Sequence, residues 1–461
     1  MQMVSASASA AFARPPRWAA EAVVYQIFPD RFCRSGRSPQ QNGLVLAPWG
    51  SAPDPHAFQG GDLWGVLDRL DHLQGMGVSC LYLNPIFSSA ANHRYHAYDY
   101  FQVDPLLGGE PAFEALLAEL KCRGMRLLLD GVFNHCGRGF WAFHHLLENG
   151  PASPYRDWFI TEQWPLNAYP RSGETCGYYA WWSDPALPKF NHANPQVQEH
   201  LLAVGRHWIE RGIDGWRLDV PDEVEPAFWE AFRREVRAVN PEAWIVGEIW
   251  GDARPWLGGP HFDGVMNYRI AWGSLGWVSA GALAEGHRRE SIPYQCLSTD
   301  CYRALLLETL GWYRPEVNCA QLNLLDSHDV PRALHMLQGD LAALKLALVL
   351  LFALPGAPSI YYGTEAGLSG GEEPACREAF PWRDPPADLS AFIGSLAQLR
   401  RAHPALRSAE IELEPLGEDG LVLIRGSGPE LRRLVLNRSR DSALVLPDGG
   451  QLGPQDWRLL A

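Results

Sequence analysis

Short apolar runs alternate with amphipathic segments of helical period along most of this chain. Eight of the runs have the length and the Val, Ile, Leu and aromatic content of buried strands. These predicted strands cover residues 23–28, 80–85, 126–132, 215–220, 244–249, 262–268, 320–325 and 359–362. The predicted helices cover residues 62–76, 111–123, 195–211, 226–239, 340–354 and 389–402.

Strands that alternate with helices of this length predict parallel βαβ units. Eight such units predict an α/β protein whose sheet closes into a (β/α)₈ TIM barrel. An open, doubly wound sheet is the competing fold, but no glycine-rich phosphate-binding turn follows the first strand.

The pattern also divides the chain into parts. Residues 1–20 are predicted to form an N-terminal tail and residues 21–405 the barrel. The stretch 136–194 is too long for a simple loop, and its many Trp and Tyr residues predict a small inserted domain after the third strand instead of disorder. Short alternating runs over 406–461 predict a C-terminal antiparallel β domain.

Composition narrows the class of partner. The 461-residue chain has a net charge of −14, whereas nucleic acids and anionic membranes require clustered Lys and Arg, so we expect neither as a partner. No run of 18 apolar residues predicts a membrane-spanning helix. Nine Cys without a CxxC spacing indicate reduced thiols and no zinc site, which predicts a cytoplasmic protein.

Polar residues follow four of the predicted strands in the same relative place. The carboxyl ends of barrel strands converge on one pocket, so these residues are predicted to lie together. They are Asp130 in the third strand with Asn134 and His135 after it, Arg217 and Asp219 in the fourth, Glu248 in the fifth, and His328, Asp329 and Arg332 after the seventh.

Glycoside hydrolysis requires one carboxyl group that protonates the leaving oxygen and a second that attacks the anomeric carbon or activates water. Asp219 lies two places after Arg217 on a strand, so both side chains point the same way, and the guanidinium is expected to hold Asp219 ionised as a nucleophile. Glu248 ends an apolar run, and an apolar setting raises a carboxyl pKa as a general acid requires. Asp329 is placed to accept hydrogen bonds from sugar hydroxyls.

Each of these acids has a structural reading as well. An Asp after a strand is often a helix N-cap, and a buried Arg–Asp pair is often only an ion pair. Three acids at the ends of different strands favour catalysis. Asp130 is the open case, since an acid in the third strand can serve only to orient its neighbours.

In order and spacing, the four motifs resemble those of the α-amylase superfamily (glycoside hydrolase family 13) over roughly residues 21–405. The resemblance implies Asp219 as nucleophile, Glu248 as general acid/base and Asp329 as transition-state stabiliser. It also implies further sugar contacts around the point of cleavage, from Tyr95, Asp99, His135, Arg217 and His328.

Finer features are similar to the cyclomaltodextrinase, neopullulanase and maltogenic amylase branch, such as Leu187-Pro-Lys-Phe-Asn191 in the inserted segment. The resemblance implies that Glu373 and Arg377 contact the sugar one step beyond the cut. Glu223 stands where the branch also has Glu, and Trp250 lies in a segment expected to reach the cleft. We therefore predict substrate contacts for all four.

Three departures from the branch carry expectations of their own. The branch has an N-terminal β-sandwich that supports dimers, whereas the barrel pattern here begins near residue 21, so we expect a monomer. The loop 33–42 lacks the acids that bind calcium in the branch, leaving only Gly60 and Asp62 of the expected set, so no metal or other cofactor is predicted. Asp222 and Pro226 alter the leaving-group side of the cleft.

Together these features predict a retaining hydrolase that cleaves α-1,4-glucosidic bonds of cyclodextrins and maltooligosaccharides to maltose and glucose. Trp181 and Trp182 would favour cyclodextrins if they protrude, because the ring has an apolar inner cavity. A broader maltogenic amylase or neopullulanase acting on starch and pullulan, with transglycosylation, is the alternative within the class. A non-enzymatic carbohydrate-binding barrel is disfavoured because all three acids are present.

Overall fold

A computed structural model describes residues 12–38, 44–287, 293–446 and 448–460. Its strands are β1 (Val24–Ile27), β2 (Cys80–Leu83), β3 (Phe87–Ser89), β4 (Ala97–Val103), β5 (Arg126–Gly131), β6 (Gly215–Leu218), β7 (Trp244–Gly247), β8 (Gly264–Val265), β9 (Leu322–Asn323), β10 (Ala357–Tyr361), β11 (Ile411–Leu416), β12 (Gly420–Arg425), β13 (Arg432–Asn437), β14 (Leu444–Val445), β15 (Gln451–Leu452) and β16 (Asp456–Leu460). Its α-helices are α1 (Pro29–Phe32), α2 (Leu63–Asp68), α3 (Leu70–Gly75), α4 (Gly109–Cys122), α5 (Trp141–Asn149), α6 (Pro195–Arg211), α7 (Pro226–Val239), α8 (Arg254–Leu257), α9 (Tyr268–Val278), α10 (Thr299–Gly311), α11 (Pro315–Cys319), α12 (Ala333–Met336), α13 (Leu341–Ala353) and α14 (Ser390–Ala402).

The main sheet is a closed parallel barrel. Its strands follow the order β8-β7-β6-β5-β2-β1-β10-β9, and the pairings between neighbours are parallel. A parallel bridge between Met266 and Leu322 joins the two ends of this order. The predicted TIM barrel is confirmed, and each predicted barrel strand is present, most of them shortened at the carboxyl end where the chain leaves the ladder for a loop.

The barrel helices follow the sequence pattern where it was strongest. Helices α6 and α7 have the predicted bounds, whereas the predicted helix 62–76 breaks at Arg69 into α2 and α3. Helix α13 is apolar on nearly all sides and is buried along most of its length. The Asp340 carboxylate caps it by accepting from the amides of Ala342 and Ala343, both at 3.0 Å.

The sequence pattern missed α9, α10 and the β3–β4 hairpin. Two glycines weaken the helical pattern of α9, but both serve close packing. An added Cβ at Gly276 would lie 2.3 Å from the Gln295 carbonyl oxygen, and one at Gly273 would lie 2.9 Å from Leu305. Packing of α9 against α10 and against the segment just before it therefore overrides the low helix propensity of glycine.

The segment after β5 and the C-terminal region complete the fold. Between residues 136 and 194, α5 lies beside short antiparallel bridges such as Phe159–Phe190 and Ala180–Pro188. The C-terminal region is an antiparallel sheet in the order β11-β12-β13-β16 with a β14–β15 hairpin, as predicted. Among the described residues, none of the helices combines the length and apolar content needed to cross a lipid bilayer.

Candidate active site

A single guanidinium organises the carboxyl groups at the ends of β5, β6 and β7. Arg217 Nη1 donates to Asp130 Oδ1 at 2.7 Å and to Asp219 Oδ1 at 2.9 Å. Its Nη2 lies 2.9 Å from Glu248 Oε2. All four residues are buried. The structure therefore brings the predicted nucleophile and general acid onto the same cation.

The backbone beyond β6 is strained where the predicted nucleophile stands. Val220, directly after Asp219, has φ 37° and ψ 54°, a left-handed conformation that a β-branched residue rarely adopts. Its amide donates to Glu248 Oε2 at 3.2 Å. Strain of this kind persists only where the surroundings fix it, and it occurs often at active sites.

The contacts of Asp130 fit the orienting role that the sequence left open. Its Oδ2 accepts from the hydroxyl groups of Tyr82 and Tyr95, at 2.7 and 2.8 Å. Its other oxygen holds Arg217. Asp130 is buried and outside the lining of the cleft, so the groups that it can position are its hydrogen-bond partners, among them Arg217 and Tyr95.

A second set of contacts surrounds Asp329 across the cleft. His328 Nε2 lies 3.1 Å from Asp329 Oδ2, and Arg377 Nη2 lies 3.4 Å from Asp329 Oδ1. Arg377 Nη1 also pairs with Glu373 Oε1 at 2.5 Å. The ring of Tyr95 stacks parallel to His328, with centroids 5.4 Å apart and planes at 3°.

Burial governs the protonation of the acids. Burial raises the pKa of Glu248 well above its usual range, Arg217 opposes this, and the charges of Asp219 and Asp329 add to it. Burial also raises the pKa of Asp219 to about 7 against the opposing effect of Arg217. The expected effect of Arg217, to hold Asp219 ionised, is therefore outweighed, because desolvation and the neighbouring carboxylates raise the pKa of Asp219 by more than the cation lowers it.

These groups line a cleft of about 630 Å³ at the carboxyl end of the barrel. Most of the predicted site residues line it: Tyr95, His135, Asp219, Glu223, Glu248, Trp250, Asp329, Glu373 and Arg377. Arg217 and His328 are fully buried behind these side chains.

Asp99 is the predicted site residue that the structure does not bring to the cleft. It lies on β4 and is partly exposed. Its Oδ1 accepts from the amide of Phe101 at 2.8 Å, a local turn of the backbone. In the β4 hairpin, which the sequence pattern missed, the side chain of Asp99 is absent from the lining of the cleft.

Parallel aromatic rings form one wall of the cleft. Trp181 stacks on His135 with centroids 5.1 Å apart, and Trp182 stacks on Trp181 at 4.8 Å. We call these three residues the aromatic wall. Trp182 is 73% exposed and has φ 52°. Burial lowers the pKa of His135 to about 3, so its imidazole is neutral, and its buried Nε2 has no hydrogen-bond partner within the described protein.

Further charged and aromatic groups line the cleft. Glu223 pairs with Lys189 at 3.1 Å and is half-exposed. Trp250 stacks on Tyr268 with centroids 4.0 Å apart. Asp222, which departs from the branch pattern, also lines the cleft, and burial raises its pKa.

The residues at the branch's calcium position do not fit that ion. Asp62 uses Oδ1 to cap α2 through the amide of Gly65, and its Oδ2 accepts from the hydroxyls of Ser35 and Ser38 at 2.6 and 2.7 Å. Arg34 donates to the carbonyl oxygen of Gln59, which places a cation in the same loop. Residues 39–43 of that loop lie outside the described range. No cluster of three or more ligating side chains suited to a metal occurs among the described residues.

Several residues that line or support the cleft were not predicted from the sequence. Tyr82 and Asn84 support the cleft from β2 and the residue after it, and Asn84 donates to the hydroxyl of Tyr95 at 3.0 Å. Both are polar residues that interrupt the apolar run 80–85, and that interruption could have identified them. The lining residues not assigned to the site from sequence are His93, His96, Leu187 and Val220.

Comparisons with known proteins agree with this geometry. Residues 26–388 match the model of the α-amylase catalytic domain. The chain is 39% identical to a cyclomaltodextrinase of Geobacillus thermopakistaniensis, over 93% of this chain and 71% of that protein. It is 40% identical to neopullulanase 2 of Thermoactinomyces vulgaris, over 96% of this chain and 73% of that protein.

A solved structure extends the likeness to the fold. The cyclic α-maltosyl-(1→6)-maltose hydrolase from Arthrobacter globiformis superimposes with a TM-score of 0.89 at 38% identity, covering 97% of this chain and 99% of that one. The match to the catalytic-domain model over most of the chain therefore establishes that this protein belongs to the α-amylase family of glycoside hydrolases.

Proposed function

We propose that the protein is a retaining hydrolase of α-1,4-glucosidic bonds in cyclodextrins and maltooligosaccharides, with maltose and glucose as products. The observation that carries this proposal is the buried guanidinium of Arg217, which contacts Asp219 and Glu248 from neighbouring strands in one cleft. Retaining enzymes require two carboxyl groups about 5 Å apart. One cation that contacts both groups supports such a close pair.

In the proposed mechanism Glu248 is the acid and Asp219 the nucleophile. The raised pKa of Glu248 keeps its proton available for the glycosidic oxygen. Asp219, in its ionised form, attacks the anomeric carbon as that bond breaks and forms a glycosyl-Asp219 intermediate. Glu248 then takes a proton from the water that hydrolyses the intermediate and is restored to its protonated form.

The remaining residues would hold the sugar at the point of cleavage. Asp329, fixed by His328 and Arg377, accepts hydroxyl hydrogen bonds that strengthen in the transition state. The unpartnered Nε2 of neutral His135 supplies a further polar contact, and the ring of Tyr95, which lines the cleft, is proposed to stack on the sugar ring. Glu373 and Arg377 are proposed to contact the next sugar along the chain.

Two observations support cyclic substrates. The exposed ring of Trp182 projects at the aromatic wall and suits the apolar interior of a glucan ring. Two similar proteins are named for cyclic substrates, the cyclomaltodextrinase and the cyclic α-maltosyl-(1→6)-maltose hydrolase. The neopullulanase relative supports the broader alternative, an enzyme that also attacks pullulan and starch and transfers sugars.

The proposed enzyme works without calcium, in the cytoplasm and as a monomer. The contacts of Asp62 support an enzyme that works without calcium. All nine Cys are free, which supports a cytoplasmic location. The monomeric state stays a prediction. A tight dimer in sedimentation velocity would contradict it.

The test is kcat/KM on β-cyclodextrin, soluble starch, pullulan and cyclic α-maltosyl-(1→6)-maltose, with chromatography of the products. We expect a preference for a cyclic substrate and release of maltose and glucose with initial retention of the α-anomer. Comparable rates on starch and pullulan would favour the broader alternative. Initial release of the β-anomer would contradict the retaining mechanism.

A further inference from the structure

A second depression lies beside the catalytic cleft and is lined partly by the inserted segment. It has a volume of about 380 Å³, in the range of small-ligand sites, and it adjoins the cleft at His96, whose side chain lines both. We propose that this depression, here named the annex groove, binds glucosyl units of an α-glucan that lie beyond the catalytic cleft. The inference rests on the proposed hydrolysis and extends it to longer substrates.

The main feature of the annex groove is the ring of Tyr169. This side chain is 74% exposed, yet it is held in place. The Arg138 guanidinium lies 4.0 Å from the centroid of its ring, and Arg138 Nη1 donates to the carbonyl oxygen of Ala168 at 2.7 Å. The amide of Tyr169 donates to Asn167 Oδ1 at 3.1 Å. An exposed aromatic ring fixed in this way offers a flat surface on which a sugar ring can stack.

Hydrogen-bonding groups surround this ring. His144 and Glu148 both line the groove, and they are exposed four residues apart on α5, so they share one face of the helix. Tyr98 also lines the groove and packs so tightly on Gly139 that a Cβ added there would lie 2.5 Å from its ring. Aromatic surface with a few polar groups around it is the chemistry that binds a polyhydroxylated ring.

The charge of the annex groove points to a neutral ligand. Arg138 and Glu148 carry opposite charges on its lining. A nucleic acid or an acidic peptide would require clustered cations instead. Because His96 lines both the annex groove and the catalytic cleft, the two adjoin, and a glucan held in the cleft is the neutral ligand that fits the groove.

The first test compares chain lengths. For Tyr169→Ala we expect the ratio of kcat/KM for maltoheptaose over maltotriose to fall about fivefold, the size of one aromatic stacking contact. Tyr169→Phe should restore the wild-type ratio because the flat ring is kept. The matched control is Ile160→Ala, which shortens another apolar side chain of the inserted segment, 47% exposed. An unchanged ratio in Tyr169→Ala would overturn the proposal.

The second test measures binding without turnover. In a Glu248→Gln background, calorimetry should give about fivefold weaker maltoheptaose binding when Tyr169→Ala is added, with Ile160→Ala as the control. Equal affinity with and without Tyr169→Ala would reject the groove. Failure of the proposed function is a separate result, since it would appear as undiminished maltotriose hydrolysis by Glu248→Gln.

Discussion

The catalytic cluster and the aromatic wall belong to the same cleft but differ in how far they are buried. In the catalytic cluster (Asp130, Arg217, Asp219 and Glu248) every charged group is buried, anchored at a strand end and held by partners. In the aromatic wall the exposure rises from the buried His135 through Trp181 to Trp182, which is mostly exposed and has a left-handed backbone. The barrel fixes the proposed catalytic groups, whereas the inserted segment presents the exposed ring of Trp182, which can change with little effect on folding.

This difference predicts different costs of mutation. Removing one partner of a buried charged network leaves other charges unpaired and costs several kcal/mol. Removing an exposed ring changes the free energy of unfolding by about 0.5 kcal/mol or less. Substitutions in the cluster should therefore lower both activity and stability. Substitution of Trp182 in the wall should change substrate selectivity without a comparable loss of stability.

The largest effect is expected for the two proposed catalytic acids. Asp219→Asn and Glu248→Gln should each lower kcat on maltotriose by at least about 10³-fold, because each group acts only as part of the unit. Glu242→Gln, at an exposed Glu, is the control. Near-full activity in either acid variant would show that the assigned roles are wrong.

Arg217 should affect stability most strongly within the cluster. Arg217→Met leaves the buried carboxyl groups of Asp130, Asp219 and Glu248 without their cation, and we expect a loss of about 3–5 kcal/mol in urea unfolding at pH 7. Arg401→Met, at an exposed Arg, should leave the midpoint unchanged. Equal stability of both variants would contradict the role of the shared cation.

The pH dependence tests the electrostatics of the cluster. Attack requires ionised Asp219, whose pKa is about 7, so kcat/KM should fall as the pH drops below about 7. An unfolded Asp titrates near about 3.9, so ionisation disfavours the fold between that pH and about 7. The stability of the wild type relative to Asp219→Asn should therefore fall as pH rises through this window, and a rise would contradict the direction of the shift.

A smaller effect is expected at the aromatic wall. Trp182→Ala should lower the ratio of kcat/KM for β-cyclodextrin over maltotriose by about fivefold, while unfolding changes by less than about 0.5 kcal/mol. Val445→Ala, a 63% exposed residue of the C-terminal sheet, controls for loss of exposed apolar surface. If Trp182→Ala lowered stability strongly and left the preference for β-cyclodextrin unchanged, the proposed difference between wall and cluster would be wrong.

The smallest effect is expected at the loop that resembles a calcium site. Excess EDTA should leave Tm unchanged, because Asp62 already satisfies an amide and two hydroxyls. Asp62→Ala should cost about 1 kcal/mol through loss of the α2 cap, whereas Asp62→Asn should keep most of it. A fall in Tm with EDTA, reversed by calcium, would refute the metal-free proposal.

The local pattern predicted the barrel well because buried parallel strands are short apolar runs that need little context. It failed where packing overrides propensity, as in α9, whose glycines fit close neighbours. It also failed for Asp99, whose motif suggested a sugar contact although the β4 hairpin uses its carboxylate for a local turn. Whether a residue faces a cleft depends on chain partners that a motif does not specify.

By itself, the sequence determined the barrel, the family and the set of acids at the strand ends, because each follows from residue types at fixed spacing. Only the tertiary structure decided that one Arg217 joins Asp130, Asp219 and Glu248, since these contacts span three strands. It also decided that the pKa of Asp219 rises instead of falling, because desolvation depends on everything packed around the carboxyl group.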